Sequence, residues 1–438
     1  MTSLVPYTVA GLGIVVLVLV LLDLPPRGGV QDERSTWWLL LLIALAGMAQ
    51  EIARGENARY WQALAGAVLA LALARAIRAG LRDRTVPGKG MGPWVAVVLV
   101  IWLFVVNALS NYQYVGPAVL ARGLAMGFWV AFAVYLRVSR VTARMVTKAA
   151  VTLMALVAVL VGTWSEPWRA CDLFKCGVYG ALLRGPFASE NQLGMLAGVV
   201  VILLAATPRS TWRMPGLVLA AAVLSATSSR TSMIALGLAG VFWLVSGSRG
   251  LGRKPRLLSG AYVVAILAIE VVSAVLISSA AQATLSNRGR IWTRAMEALD
   301  GPTWQGLGLD RWSVLQDAGL LPPLFPHSQL LLVYFSGGVV AGALYLAFLL
   351  SPLRLPGGDG RRTAMTYGVY LAVVGLAEVW WNPLTIDLHV AVLAPFLALT
   401  TIHGATTQRG ARRAPGASPN RRPAGLPPRA TATSRAVR

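Results

Sequence analysis

Apolar segments of a length suited to cross a lipid bilayer recur along almost the whole chain. Runs of roughly 17–25 residues span a hydrocarbon core of about 30 Å as α-helices. The candidate spans lie near 4–23, 37–52, 61–79, 94–110, 117–136, 148–164, 192–207, 214–228, 231–246, 260–280, 327–353, 365–381 and 387–403. This recurrence predicts a chain that crosses the membrane many times.

The composition supports the same class. Charged residues make up 13% of the 438 residues, and hydrophobic residues make up 56%. A typical soluble domain carries a charged fraction of about 25%. The apolar runs are continuous, whereas the strands of a membrane barrel alternate apolar and polar residues. We therefore predict an all-α polytopic membrane protein with about 12–13 transmembrane helices.

The polar segments define the predicted domain organisation. Residues 1–403 are expected to form one transmembrane domain, with a smaller outer loop at 165–191 and a larger one at 281–326 that contains short amphipathic helices. The first apolar run has no basic region before it and no cleavage site after it, so we interpret it as a retained helix. Residues 404–438 contain Arg, Pro, Gly and Ala but no acid, which predicts a disordered basic tail.

Basic residues concentrate in alternate loops and predict the orientation. The formal net charge is +22. In membrane proteins Lys and Arg accumulate in cytoplasmic loops, which explains this charge better than nucleic-acid binding does. The predicted cytoplasmic loops contain Arg137, Arg140, Arg144 and Lys148, then Arg249, Arg253, Lys254 and Arg256, then Arg354, Arg361 and Arg362. The tail joins them on that side, and the segments 165–191, 228–230 and 281–326 lie outside.

The two cysteines fall in one predicted outer loop. Cys171 and Cys176 are close in sequence, and an oxidising compartment favours a disulfide between them. A free pair and a metal site are the alternatives, but two thiols without a nearby histidine make a poor metal site. We predict the disulfide and no metal ion.

The first two outer segments each place an arginine beside a helix start. Arg184 precedes Asn191, and either Ser189 or Asn191 can cap the helix that follows. Arg230 lies between two apolar spans, where it either extends to lipid head groups or binds phosphate through its planar guanidinium.

The third outer segment contains a basic amphipathic helix and a lone histidine. Arg290 and Arg294 share a helical face, with Arg288 nearby, and acids such as Asp310 balance part of their charge. Gly306 and Gly308 suit a tight loop better than a dinucleotide site, because no strand precedes them. His327 follows three prolines at the start of the next span, where it is either an interface residue or a proton acceptor.

Four motifs in this order resemble the superfamily of O-antigen ligases and O-antigen polymerases, which transfer glycans in the bacterial envelope. The similarity covers roughly residues 180–350. The matching residues are Gly185, Phe187 and Asn191, then Ser229 and Arg230, then Arg290, Trp292, Gly306 and Gly308, then His327 and Gly338. Glu190, Ser328 and Ser336 depart from the family pattern, which usually has Pro, Asn and an acid at these places. These departures bear on which subfamily the chain resembles and on which acceptor it uses.

The resemblance implies a metal-independent glycosyltransferase without a cofactor, located in the bacterial plasma membrane. Its donor is a glycan on undecaprenyl diphosphate, and its acceptor is a glycan, a lipid or a protein. Arg230 and Arg290 are expected to bind the diphosphate, with Arg184, Asn191, Arg288 and Arg294 supporting them. His327 is the expected base, and Asp310 is the reserve candidate.

Two other functions remain open from the sequence. A transporter or flippase of lipid-linked sugars requires charges deep in the helix bundle, whereas most charges here lie in loops. A peptidoglycan-type glycan polymerase shares the helix number, but its motifs are not recognisable. Neither alternative calls for a nucleic-acid partner.

Overall fold

The computed structural model describes most of the chain between residues 4 and 401. The described ranges are 4–23, 37–43, 45, 70–71, 73–74, 77–78, 90–115, 118–138, 141–163, 168–171, 175–187, 189–248, 254–279, 288–300, 303–387 and 389–401. The predicted spans 37–52 and 61–79 lie partly outside these ranges. The predicted tail at 404–438 lies wholly outside them, so it stays a prediction.

The described residues form α-helices joined by short connections and one small hairpin. The helices are α1 (Leu4–Leu22), α2 (Gly92–Val115), α3 (Ala118–Val138), α4 (Ala143–Thr163), α5 (Glu190–Ala206), α6 (Arg213–Thr227), α7 (Arg230–Gly247), α8 (Pro255–Ser279), α9 (Arg288–Leu299), α10 (Asp310–Asp317), α11 (Gln329–Leu349), α12 (Asp359–Gly375) and α13 (Val390–Leu399). A 3-10 turn at Ser351–Arg354 precedes α12. The antiparallel hairpin pairs β1 (Trp168–Ala170) with β2 (Ala181–Leu183).

The predicted all-α polytopic membrane class is confirmed. Within the described residues, six helices are long and apolar enough to cross a membrane: α1, α2, α4, α7, α8 and α11. Side chains on α7 and α8 that point away from the bundle are large and apolar, as expected where a helix faces lipid acyl chains. The short helices α9 and α10 lie in the predicted outer loop.

Helix α9 is amphipathic, as its sequence predicts. Ile291, Trp292 and Ala295 are buried, whereas Arg290 and Arg294 are exposed. The exposed pair is four residues apart and therefore shares one face of the helix. The buried face packs in a small apolar core that includes residues of α10 and α11.

Contacts between helix termini define one end of the bundle, which we call the basic end. Thr207, after α5, donates to Thr147 of α4 over 3.1 Å. Arg362 of α12 donates through Nε to Ser246 of α7 over 2.9 Å and lies over the Trp243 ring. The opposite termini of these helices therefore gather at the other end of the bundle, which we call the site end.

Asp23 anchors the basic end. Its carboxylate lies 2.8 Å from Lys148 Nζ, accepts from Arg144 over 2.8 Å, and accepts from Trp212 Nε1 over 2.8 Å. Burial alone raises the pKa of Asp23, but these donors outweigh it and lower the pKa to about 2. The carboxylate is therefore ionised and neutralises Lys148, whose side chain is only 1% exposed.

Helix α11 is broken at Gly338, and a loop fills the break. Gly338 has φ 65° and ψ −157°. The amide groups of Val339 and Val340 donate to the carbonyls of Thr303 and Trp304 over 3.2 and 3.4 Å. On the other side of the break, Leu307 donates to Phe335 over 2.8 Å. The loop thus satisfies backbone groups that the broken helix leaves open, as an apolar environment requires.

The two glycines of this loop are needed for its close approach. Gly306 and Gly308 have φ of 74° and 82°, in the region that favours glycine. A Cβ on Gly306 would lie 2.6 Å from the Gly337 nitrogen, and one on Gly308 would lie 2.3 Å from Asn111 Nδ2. Tight loop geometry therefore accounts for this Gly-x-Gly motif.

We expect Asp23→Asn to destabilise the protein. The substitution removes the charge that neutralises Lys148 and leaves a buried donor poorly paired, at a cost of about 1–3 kcal/mol. Thermal unfolding of the detergent-purified protein measures the effect, and Asp317→Asn at an exposed position is the control. Because the folded-state pKa is depressed, this stabilisation is complete above the unfolded pKa of about 3.9 and disappears as the pH falls through about 2. Equal melting temperatures for both variants at neutral pH would contradict the predicted destabilisation by Asp23→Asn.

Candidate functional site

A cavity of about 380 Å³ opens at the site end of the bundle. Its lining comes from the N-terminus of α5, the loop before α11, and the loop between α12 and α13. The lining residues are Ser189, Gln192, Pro323, Leu324, Phe325, His327, Glu378, Val379, Asn382, Asp387 and His389. Two of the three histidines of the chain therefore face one cavity.

Glu378 connects three of the sequence-predicted residues. Its Oε1 accepts from Arg288 Nη2 over 2.5 Å and from Asn191 Nδ2 over 2.7 Å. Its Oε2 lies 3.5 Å from His327 Nδ1. The carboxylate is 8% exposed, so the Arg288 charge compensates a group that is largely removed from water.

Aromatic side chains hold the loop that leads to His327. Trp292 of α9 is fully buried and donates to the Pro326 carbonyl over 2.8 Å. Trp312 of α10 donates to the Leu324 carbonyl over 3.2 Å, and Gln316 donates to the same carbonyl over 2.9 Å. The Arg-x-Trp motif thus provides an arginine on an exposed face and a tryptophan that fixes the residue before His327.

The backbone at His327 adopts a conformation that few side chains accept. Its φ is 50°, and such strain often persists at functional sites where neighbouring structure enforces it. The next residue, Ser328, caps α11 by accepting from the Leu331 amide over 3.4 Å. His327 is 32% exposed and faces the cavity.

Gln329 fixes the chain that follows Glu378. Its Oε1 accepts from the amides of Trp380 and Trp381, each over 3.0 Å, and its Nε2 donates to the Trp381 carbonyl over 2.9 Å. Gln329 lies two residues after His327, and Trp380 lies two residues after Glu378. Their hydrogen bonds therefore hold the chain segments of His327 and Glu378 next to each other.

The small β1–β2 hairpin reaches the same network. The structure joins Cys171 to Cys176 in a disulfide, beside Lys175. Lys175 Nζ donates over 3.0 Å to both Glu190 Oε1 and Asn191 Oδ1. Burial raises the pKa of Glu190, but its backbone amide, Lys175 and Arg169 together lower it. Lys175 orients Asn191 so that its amide nitrogen points to Glu378.

A second histidine and a second carboxylate also line the cavity. His389 Nδ1 lies 2.9 Å from Asp387 Oδ1, and His389 Nε2 lies 3.3 Å from Gln192 Nε2. The Ser189 amide donates to Gln192 Oε1 over 3.3 Å, which turns the Gln192 nitrogen toward the histidine. Because that nitrogen can only donate, His389 accepts through Nε2 and carries its proton on Nδ1.

The environment of Asp387 keeps it ionised. Burial raises its pKa, but His389 and the Thr385 hydroxyl lower it below the usual value on balance. Thr385 donates to Asp387 Oδ2 over 2.8 Å. The anion therefore orients the His389 ring and favours the protonated Nδ1.

The remaining sequence-predicted residues lie outside the cavity lining. Arg230 and Arg290 are exposed at the starts of α7 and α9. Arg294 forms a surface ion pair with Glu297 over 3.1 Å. Arg184 is half-buried directly after β2.

Asp310 forms a structural ion pair. Its carboxylate accepts from Arg122 Nη2 over 2.7 Å and from Asn107 Nδ2 over 2.7 Å. Asn107 Oδ1 also accepts from the Asp310 amide over 2.8 Å. These bonds connect α2, α3 and α10, and the cavity lining does not include Asp310.

Sequence reasoning missed several residues of the site, chiefly Glu378, Asp387, His389 and Gln192. A signal was present for Glu378, because an acid within a predicted span is costly and usually has a partner or a function. Asp387 and His389 lie at the start of the last predicted span, just as His327 lies at the start of an earlier one. In the described part of the chain, no group of three or more His, Cys, Asp or Glu side chains is arranged to hold a metal ion.

One comparison with known proteins covers three of the four motifs. Residues 215–346 match a protein-family model described as O-antigen ligase. This segment includes Arg230, Arg290, His327 and Gly338. A search of curated proteins found no match. This segment is thus similar to O-antigen ligases, which confirms the predicted resemblance to the superfamily of O-antigen ligases and polymerases.

Proposed function

We propose that the protein transfers or polymerises glycans from an undecaprenyl-diphosphate donor, and that its active site faces the extracytoplasmic side. The observation that carries this proposal is the meeting of three distant segments at one buried carboxylate. Asn191, Arg288 and His327 come from three separate segments of the chain, and all contact Glu378. Family similarity supports lipid-linked glycan substrates in the bacterial plasma membrane.

His327 acts as the base in this proposal. With Nδ1 directed to Glu378, its Nε2 is available to accept the proton of an acceptor hydroxyl. The hydroxyl oxygen bonds to the anomeric carbon of the donor as the carbon–oxygen bond to the diphosphate breaks. The electron pair of that bond leaves with the diphosphate, and Glu378 stabilises the imidazolium that forms.

Arginines provide the positive charge for the leaving group. Arg230 and Arg290 are exposed at helix N-termini at the site end, where planar guanidinium groups can bind two phosphate oxygens at once. Positive charge near the bridging oxygen lowers the barrier, because negative charge develops there. In this proposal the arginines take the role that a metal ion has in other transferases.

The break in helix α11 gives little support to a flippase activity. Transporters use broken helices whose open backbone groups bind substrate. In α11 the loop at Thr303–Gly308 already accepts from and donates to those groups. The break therefore supports the outer loop and leaves those bonded groups unavailable for cargo.

His327→Ala is expected to reduce transfer by about 10²–10⁴-fold, the usual contribution of a general base. Glu378→Gln is expected to cause a smaller loss, since it keeps the shape but removes the charge that stabilises the imidazolium. Product formation from a purified polyprenyl-diphosphate glycan by protein in nanodiscs measures both. Normal transfer by His327→Ala would refute the base assignment.

Arg230→Ala and Arg290→Ala are each expected to raise the donor KM by about 10- to 100-fold, equivalent to a charged hydrogen bond of roughly 1.5–3 kcal/mol. The Lys variants are expected to retain part of the affinity, because Lys lacks the paired donors of Arg. Arg256→Ala, at an exposed position at the start of α8, is the matched control. Donor KM values equal to that of the control would show that neither arginine binds diphosphate.

The proposed orientation is tested by labelling Cys171 and Cys176 in intact cells. After reduction with a membrane-impermeant phosphine, an impermeant maleimide should modify both thiols, because the hairpin lies outside. A cysteine introduced by Arg256→Cys is the control at the basic end and should react only after the membrane is permeabilised. The reverse pattern would place the site on the cytoplasmic side.

A further inference from the structure

The cavity has two chemically different walls. One wall is polar and consists of Ser189, Gln192, Asn382, Asp387 and His389. Another part of the lining is apolar and includes Leu324 and Phe325, which are 45% and 40% exposed. Large apolar side chains that remain exposed beside fixed polar groups are typical of a ligand site.

The polar wall is held rigidly before any ligand binds. Asp387 accepts from the His389 amide over 2.9 Å as well as from the ring, and Thr385 fixes its other oxygen. Gln192 is bound at its oxygen by the Ser189 amide and at its nitrogen by His389. Gln192 and the side-chain amide of Asn382 thus present polar groups to the cavity at defined positions.

The charges of the cavity disfavour an anionic ligand. Its lining contains two carboxylates, Glu378 and Asp387, and includes neither Lys nor Arg. The exposed arginines proposed for the diphosphate, Arg230 and Arg290, lie outside this lining. A uronate or a sugar phosphate in the cavity would lie close to the Asp387 carboxylate, which raises the free energy of binding, whereas the charge of Glu378 is already compensated by Arg288.

We propose that this cavity is an acceptor subsite that binds a neutral sugar residue. Sugar hydroxyls bond to Gln192, Asn382 and the Asp387 carboxylate, while the apolar face of the ring packs on Phe325. The assignment as acceptor rests on the proposed glycan transfer, since His327 faces the same cavity. Its volume of about 380 Å³ is near the lower limit of small-molecule sites, roughly 300–1,000 Å³, which suits one or two sugar units.

His389 is a positioning residue in this arrangement. Both of its ring nitrogens are already bonded, to Asp387 and to Gln192, so it orients Gln192 while His327 accepts the proton. His389→Gln keeps a polar side chain and should retain part of the sugar binding, whereas His389→Phe should lose it.

Saturation-transfer NMR with the full-length protein in nanodiscs tests the proposal without a donor. The probes are methyl glucoside, methyl galactoside and N-acetylglucosamine as neutral sugars, with glucuronate and glucose 1-phosphate as anionic ones. At least one neutral sugar should bind, and both anions should bind several-fold more weakly. Gln192→Leu and Asn382→Leu should each weaken neutral-sugar binding about threefold to tenfold, the effect of one lost hydrogen bond.

Three results would overturn the subsite. These are the absence of binding by every neutral sugar, anion binding as tight as neutral binding, and binding that neither Leu variant changes. Arg230→Ala is the matched control and should leave sugar binding intact while it weakens donor use. Neutral-sugar binding without any glycan transfer by the wild-type protein would instead contradict the proposed function and leave the sugar site standing.

Discussion

The site depends on one buried carboxylate that must be compensated. Glu378 is removed from water in the loop that follows α12, and an isolated charge there is costly. Arg288 and Asn191 provide the compensation, and each is attached to a different part of the chain. The need to pair this single charge therefore brings α5, α9 and α12 together, and it sets the side of the cavity on which His327 lies.

Charge is arranged differently at the two ends of the bundle. At the basic end, Asp23 neutralises Lys148 and Arg144 with donors in direct contact. At the site end, the cavity lining holds carboxylates, whereas Arg230 and Arg290 are exposed outside it. A donor with a diphosphate and an acceptor with neutral hydroxyls would find different electrostatic environments within one face of the protein. In the proposed reaction, this difference keeps the two substrates in separate positions.

The sequence allowed the helices to be predicted well, because apolar runs and loop charges are local properties. The motif residues Asn191, Arg230, Arg290 and His327 were also visible, since each follows a polar segment at a helix start. The partners of His327 were not, because Glu378 lies 51 residues away and meets it only through the tertiary fold. The prediction of Asp310 as a reserve base missed Arg122, whose contact with it depends on how α3 packs beside α2.

The broken helix α11 has a consequence for the order in which the protein assembles. The loop at Thr303–Gly308 is synthesised before α11, and the backbone groups at Gly338 find their partners in it. When the ribosome releases the second half of α11, the complementary segment has already been synthesised. The late helix can thus enter the bilayer with its polar backbone groups matched by an earlier piece of the same chain, and the break adds no unpaired group to the lipid phase.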